Sequence, residues 1–193
     1  MLVGETAERG DAARNRRLLL DAATRLVAER GVDSVTMEDV AAAAGVGKGT
    51  VFRRFGSRAG LMLALLDHHE REFQRAFMFG PPPLGPGAEP VERLAAFGRA
   101  RLAILETQGD IVRAAESARD ARYGTPPYLL QVSHVTTLLR QAGVTGNVRL
   151  RADLLLGALS ADLVLHQLRT LSIPLDEIAD NWARSARVLA GPG

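Results

Sequence analysis

Apolar residues recur every three or four positions along most of the chain. Leu19, Ala22, Ala23, Leu26 and Val27 fall at i, i+3, i+4, i+7 and i+8, the single apolar face of an amphipathic helix. This predicts a helix over Arg14–Arg30, stopped by Gly31. Residues 1–13 are polar without periodicity and read as a flexible arm. Met37, Val40, Ala41 and Ala44 mark a short helix over 37–44, with Thr36 as N-cap and Asp39 completing a capping box. Gly45 permits a tight left-handed turn, and Val46 falls between that helix and the next, Lys48–Phe55. Gly56-Ser57 ends it, and Ser57 caps a longer helix running to Phe79.

The pattern breaks at residues 80–90, Gly-Pro-Pro-Pro-Leu-Gly-Pro-Gly-Ala-Glu-Pro, which predict a loop. Helical spacing resumes over Val91–Thr107, Asp110–Asp120, Pro127–Gln141, Arg149–Thr170 and Leu175–Ala190, punctuated by Gly109, Gly124, Gly143, Gly146 and Pro174. No run alternates in the manner of a strand. The expected fold is all-α with about nine helices: an arm (1–13), a three-helix N-terminal domain (14–60) and a C-terminal helical bundle (61–193).

Composition narrows the function classes. The 193 residues are 47% hydrophobic, enough for a real core, and the mean hydropathy is +0.01. The most apolar stretch, Leu150–Leu171, is broken by Asp153, Asp162, His166 and Arg169, so no membrane span is expected. Glu5, Glu8 and Asp11 leave no apolar signal region, which points to a cytoplasmic protein. Cysteine is absent and histidine occurs four times, so disulfides, thiol chemistry and a dedicated metal cage are not expected. The adjacent His68 and His69 point in different directions on a helix. No glycine-rich phosphate loop, nucleophile elbow or histidine metal motif appears, so neither an enzyme nor a cofactor is expected. The net charge of +2 does not by itself mark a nucleic-acid binder. Lys48 is the only lysine, so the 24 basic residues include 24 − 1 = 23 arginines.

Distribution of charge says more. Three short helices, the last two joined by a glycine turn, outline a helix-turn-helix. In the third, Val51 and Phe55 (i, i+4) can face the small core with Val40 and Val46, leaving Lys48, Thr50, Arg53 and Arg54 outward. Gly47 and Gly49 keep the start of this helix slim, and its positive dipole end favours phosphate. Arginine can read guanine bidentately, whereas lysine acts as a point charge. Taken alone, these charges also fit a solvated helix face. Arg14, Arg16 and Arg17 fit either a DNA-reaching segment or a soluble helix start.

Residues 17–66 resemble the N-terminal domain of the TetR family of bacterial regulators. The resemblance is carried by Leu20-Asp21-Ala22-Ala23, Ala28-Glu29-Arg30-Gly31, Thr36-Met37-Glu38-Asp39-Val40-Ala41, Ala44-Gly45-Val46-Gly47-Lys48-Gly49-Thr50-Val51-Phe52 and Phe55-Gly56-Ser57-Arg58. It implies a homodimer that binds duplex DNA with two half-sites. The C-terminal domain would dimerise and take a small-molecule effector. By position, Thr36 would contact phosphate, Lys48, Thr50, Phe52 and Arg53 would lie along the DNA, and Arg58 would clamp phosphate. Gly47, Phe52 and Arg58 stand where the family more often has a small or hydroxyl residue, tyrosine and lysine. The DNA-binding set is thus Thr36, Gly47, Lys48, Gly49, Thr50, Phe52, Arg53, Arg54 and Arg58. A helical ligand- or partner-binding protein that has lost sequence-specific DNA binding is the alternative.

In the C-terminal region Phe73, Phe77, Phe97, Leu105, Tyr123 and Leu138 read as core or as the lining of an effector cavity. Arg101, Glu116, His134 and His166 interrupt apolar helical stretches as paired side chains or as ligand contacts, and Asp162 and His166 (i, i+4) can satisfy each other. The helix after Arg149 is apolar on more than one side. With the final helix it suggests a four-helix dimer interface of Leu155, Ala158, Leu159, Asp162, Leu165, Ile178, Trp182 and Ala186, although a single-chain core explains the same residues.

Overall fold

The computed structural model describes residues 3–117 and 122–191. They form helices and no strand. Two compact units divide the chain, Met1–His68 and His69–Gly193. The division falls within a helix, later than the expected boundary at residue 60.

The first unit begins with α1, Val3–Arg30. The arm expected over 1–13 is therefore corrected to helix from Val3, residues 1 and 2 lying outside the described ones. Glu5, Ala7, Glu8, Ala12 and Ala13 are good helix formers with no proline among them, but they carry no apolar face for periodicity to detect. Further along α1, the five residues of the predicted stripe are all buried. Gly31, with φ of 79°, ends the helix and donates its N–H to the Val27 carbonyl at 2.9 Å. A 3₁₀ turn, Val32–Ser34, precedes α2, Met37–Ala43. The capping box at Thr36 forms: its Oγ1 accepts from the Asp39 N–H at 3.1 Å, and its own N–H donates to Asp39 Oδ2 at 3.0 Å. Gly45, at φ 67°, makes the turn, and Val46, half-buried, donates its N–H to the Ala41 carbonyl at 3.0 Å. Helix α3, Lys48–Phe55, buries Val51 completely against a core that includes Val40 and Val35. Ser57 Oγ accepts from the Gly60 N–H at 3.1 Å and caps α4, Arg58–Phe79.

The first half of α4 belongs to this unit, where Leu61 and Leu65 are buried. His68, read from sequence as solvent-facing, is mostly enclosed and lies 3.5 Å from Asp21.

The second unit is arranged around α5, Pro90–Ser117. Two helices were expected here, parted at Gly109. Gly109 is instead inside one helix, because a Cβ there would lie 2.6 Å from Leu165 Cδ2: the glycine admits a neighbouring element rather than ending its own. Residues 118–120 of the expected helix lie outside the described residues. Gly98 plays the same part under the Trp182 ring, 2.2 Å from where its Cβ would stand. Helix α6, Pro126–Gln141, opens on two prolines, which suit a first turn whose N–H groups have no partner. The single helix expected over Arg149–Thr170 is divided into α7, Val148–Gly157, α8, Ala161–Leu165, and a π-helical turn, His166–Thr170. Ser160 adopts the extended backbone of an N-cap and starts the chain afresh. Helix α9, Leu175–Leu189, closes the unit, with Trp182 Nε1 donating to the Leu155 carbonyl at 3.0 Å.

Candidate functional site

Local chemistry sets the exposed face of α3. Val51 points inward, while Lys48, Gly49, Phe52, Arg53 and Arg54 are exposed and Thr50 is half-buried. Gly47 is the N-cap, in extended backbone and without a side-chain cap. A Cβ at Gly47 or Gly49 would meet nothing within 4 Å, so the start of α3 is bordered by open space. The helix thus offers its N-terminal turn unobstructed.

The cations on this face are not equivalent. Lys48 pairs with Glu38 in the first turn of α2, and its ammonium also lies 5.4 Å from the centre of the Phe52 ring. The hydrogen bond from Lys48 holds the Glu38 carboxyl below its ordinary range. Arg53 makes no hydrogen bond or ion pair among the described residues. Arg16 reaches over the Phe55 ring at 6.0 Å.

Two expected phosphate contacts are otherwise engaged. Thr36 donates its hydroxyl to Asp39 Oδ2 at 2.6 Å, and this bond is the main reason the Asp39 carboxyl is held below its usual range. Arg58 donates Nε to the Val35 carbonyl at 2.9 Å and Nη2 to that of Val32. It ties the 3₁₀ turn to the start of α4, a task nothing in the local sequence announces.

A capped three-helix unit with a clear outward helix is what a helix-turn-helix requires. A family model described as "Bacterial regulatory proteins, tetR family" matches residues 19–65. Residues 19–65, the N-terminal helices, are thus similar to those of TetR-family regulators. Among relatives, it is 48% identical over 50 residues to the HTH-type transcriptional repressor Rv3405c of Mycobacterium tuberculosis, covering 26% of this chain and 27% of that one. It is 37% identical over 93 residues to the HTH-type transcriptional repressor KstR of Rhodococcus jostii, covering 48% and 42%. The chain thus spans less than half the length of these relatives. Its fold is similar to a TetR-family transcriptional regulator from Streptomyces coelicolor, with TM-score 0.61, 19% identity and coverage of 92% and 95%. It is also similar to a transcriptional regulator from Saccharomonospora viridis in complex with choline, with TM-score 0.65, 20% identity and coverage of 89% and 95%.

The second unit gathers some of the expected effector residues in two layers. Phe73 and Phe77 of α4 and Phe97 of α5 have ring centroids 5.0–5.5 Å apart. His134 of α6 lies 4.4 Å from Phe77 and 5.5 Å from Phe97. Burial among these rings, aided by the charge of Arg93, lowers the His134 pKa to about 4, so the imidazole is neutral near pH 7. Its Nε2 is buried without a hydrogen-bond partner.

One to two helical turns away stands a polar layer. Arg101, on the same stripe of α5 as Phe97, lies 3.5 Å from Glu70 and 3.7 Å from Glu116. Glu70 also accepts from Gln131 at 3.0 Å and Gln74 at 2.9 Å. Glu116 accepts from the Ala161 N–H at 3.3 Å, at the start of α8. Glu70, Gln74 and Gln131 were missed from sequence. The signal was present in the i, i+3, i+7 stripe of Glu70, Phe73 and Phe77, and in Gln131 one turn before His134. Leu105 and Leu138 are fully buried core. Tyr123 is 65% exposed and His166 is exposed on the π-helical turn, so neither lines an interior. Tyr123 lies in the 3₁₀ turn Arg122–Gly124, between two expected helices, and His166 where a continuous helix was expected and the chain is turning.

The expected interface set is also corrected. Leu155, Leu159, Leu165, Ile178, Trp182 and Ala186 are buried within the single chain, and only Ala158 and Asp162 are exposed. The apolar side chains left outward on these elements are Leu150, Leu154, Leu163 and Val188. Leu150, Leu154 and Ala158 fall at i, i+4 and i+8, one stripe along α7 and its cap. A helix apolar on several sides does not reveal which side its own chain covers, so the sequence leaves Trp182 open to interface or core.

Proposed function

We propose that this chain is a dimeric, ligand-responsive transcriptional repressor of the TetR family that binds duplex DNA through α3. The observation that carries the reading is the outward face of α3 within the matched helix-turn-helix, where Arg53 is exposed and unengaged among the described residues. Association draws first on phosphate charge, and base-edge contacts then supply specificity. Arg53 is the residue suited to bidentate reading of guanine, and Thr50 and Arg54 flank it. Two copies paired through Leu150, Leu154, Ala158 and Val188 would present two such helices to two half-sites.

The effector site we propose lies among α4, α5 and α6, and what supports it is the meeting of the aromatic layer with the Arg101 layer. The choline complex of the Saccharomonospora viridis regulator supports a small-molecule-binding role for a chain of this fold. Helix α4 carries Ser57-capped residues of the first unit and Phe73 and Phe77 of the second. An effector that favours one arrangement of α4 would alter the spacing of the reading helices, a difference in affinity between two states.

A salt titration tests the reading. The full chain should bind a duplex with an affinity that falls linearly as log salt rises. Absence of duplex binding at low salt would overturn it.

A further inference from the structure

The side chain that confronts the leading cation of α3 comes from a different helix. Lys48 occupies the first turn of α3, where the helix dipole disfavours a positive charge. Glu38, in the first turn of α2, is favoured by its own helix dipole whether or not Lys48 is present. Their side chains are 57% and 53% exposed, and pairs this open contribute little to folding. Neither side chain is needed to bury the core: Val51 anchors α3, and Met37, Val40 and Ala41 anchor α2. The effect of the pair is therefore on the charge that the unit presents outward. Arg53 presents its full charge, whereas the charge of Lys48 is met within the protein.

We propose that Glu38 is an electrostatic brake on DNA binding, serving as an internal counterion that phosphate must displace to reach Lys48. This rests on the DNA-binding role of α3 argued above. A lysine suits the part, because its ammonium is a compact charge on a flexible stem with three rotatable donors, able to pass from carboxylate to phosphate without moving the backbone. The carboxylate left behind repels the phosphates. The penalty falls on every duplex alike, so it lowers the indiscriminate electrostatic affinity that any DNA offers. The capping acid Asp39 cannot substitute for Glu38, since it is engaged by Thr36 and lies 3.5 Å from Arg30.

The test measures binding of a random-sequence duplex to the full chain and to Glu38→Gln, Lys48→Gln and the double variant, between 50 and 200 mM salt. Glu38→Gln should bind more tightly than the parent. Its log-log salt slope should be steeper, by about 0.9 at most, the value reached if Lys48 stays on Glu38 in the parent complex, so that its gain on lowering the salt is up to about 3.5-fold larger. In the Lys48→Gln background the same Glu38 change should give no increase in slope. Unchanged affinity and slope for Glu38→Gln would overturn the brake. So would an equal gain with and without Lys48, which would reduce Glu38 to a general repulsive charge. Failure of the parent to bind any duplex would instead overturn the DNA-binding role, and the two failures are thereby distinguished. Thermal unfolding of Glu38→Gln should match the parent, and a large loss of stability would count against the brake.

Discussion

The guanidinium of Arg101 lies 3.7 Å from the carboxylate of Glu116, fifteen residues further along the same helix. A straight helix would hold their Cα atoms about 22 Å apart, more than an arginine and a glutamate can span. Helix α5 therefore bends between them. Gly109 stands between the two residues and lets Leu165 approach the helix surface. The result is a mostly buried cation between Glu70 and Glu116.

Removing that cation strands two carboxylates. Arg101→Leu should destabilise the protein by ~3–5 kcal/mol in chemical denaturation, the cost typical of breaking a buried ion pair on one side. Adding Glu70→Gln and Glu116→Gln to the same chain should recover part of the loss. A stable Arg101→Leu single variant would show that the cluster is open to water.

His134 predicts a separate pH dependence. Its pKa is about 4 in the folded protein against an ordinary 6.5, so the unfolded chain binds more protons between those values. Stability should then be full above pH 6.5 and fall as pH drops toward 4, by at most ~3 kcal/mol and less to the extent that solvent screens the ring. His134→Phe should flatten this window in pH-dependent denaturation. Asp110, lowered chiefly by its hydrogen bond from Arg169, acts elsewhere: its contribution is present above its ordinary value of 3.8 and is lost below it. A parent stability that does not change between pH 6.5 and 4 would contradict the assignment.

Gly98 is the contact point of α5 with the only tryptophan. Gly98→Ala would place a methyl 2.2 Å from Trp182 Cε3, forcing the ring to move. The expected cost is ~1–3 kcal/mol of overpacking, with a changed tryptophan emission spectrum. Unchanged emission and unfolding temperature would show that this packing is looser than the structure describes.

The apolar stripe on α7 predicts the assembly. Leu154 is 65% exposed in the single chain, so Leu154→Glu should leave the monomer folded while shifting sedimentation from dimer to monomer. A variant that sediments as the parent does would move the interface to another face.

The first unit was largely legible in the sequence because its determinants are local. The Thr36–Asp39 box, the turns at Gly31 and Gly45, and the stripe from Leu19 to Val27 each involve residues within a few positions of one another. What sequence could not reveal depends on partners distant along the chain. Gly109 reads as a break until Leu165 is beside it. Arg58 reads as a phosphate ligand until the Val32 and Val35 carbonyls take its guanidinium. The apolar excess around Leu155 and Trp182 signals double-sided burial but not which side its own chain covers. Lys48 stands ten residues after Glu38, across a turn, where no helical spacing rule applies.

Selection of bound sequences from a random duplex library, followed by binding of the recovered duplexes to Arg53→Ala, tests the central claim most directly. The account predicts enriched sites with two half-sites related by two-fold symmetry, and a loss of ~1–3 kcal/mol in affinity for the variant. Absence of any enriched sequence, or equal binding by parent and variant, would contradict it.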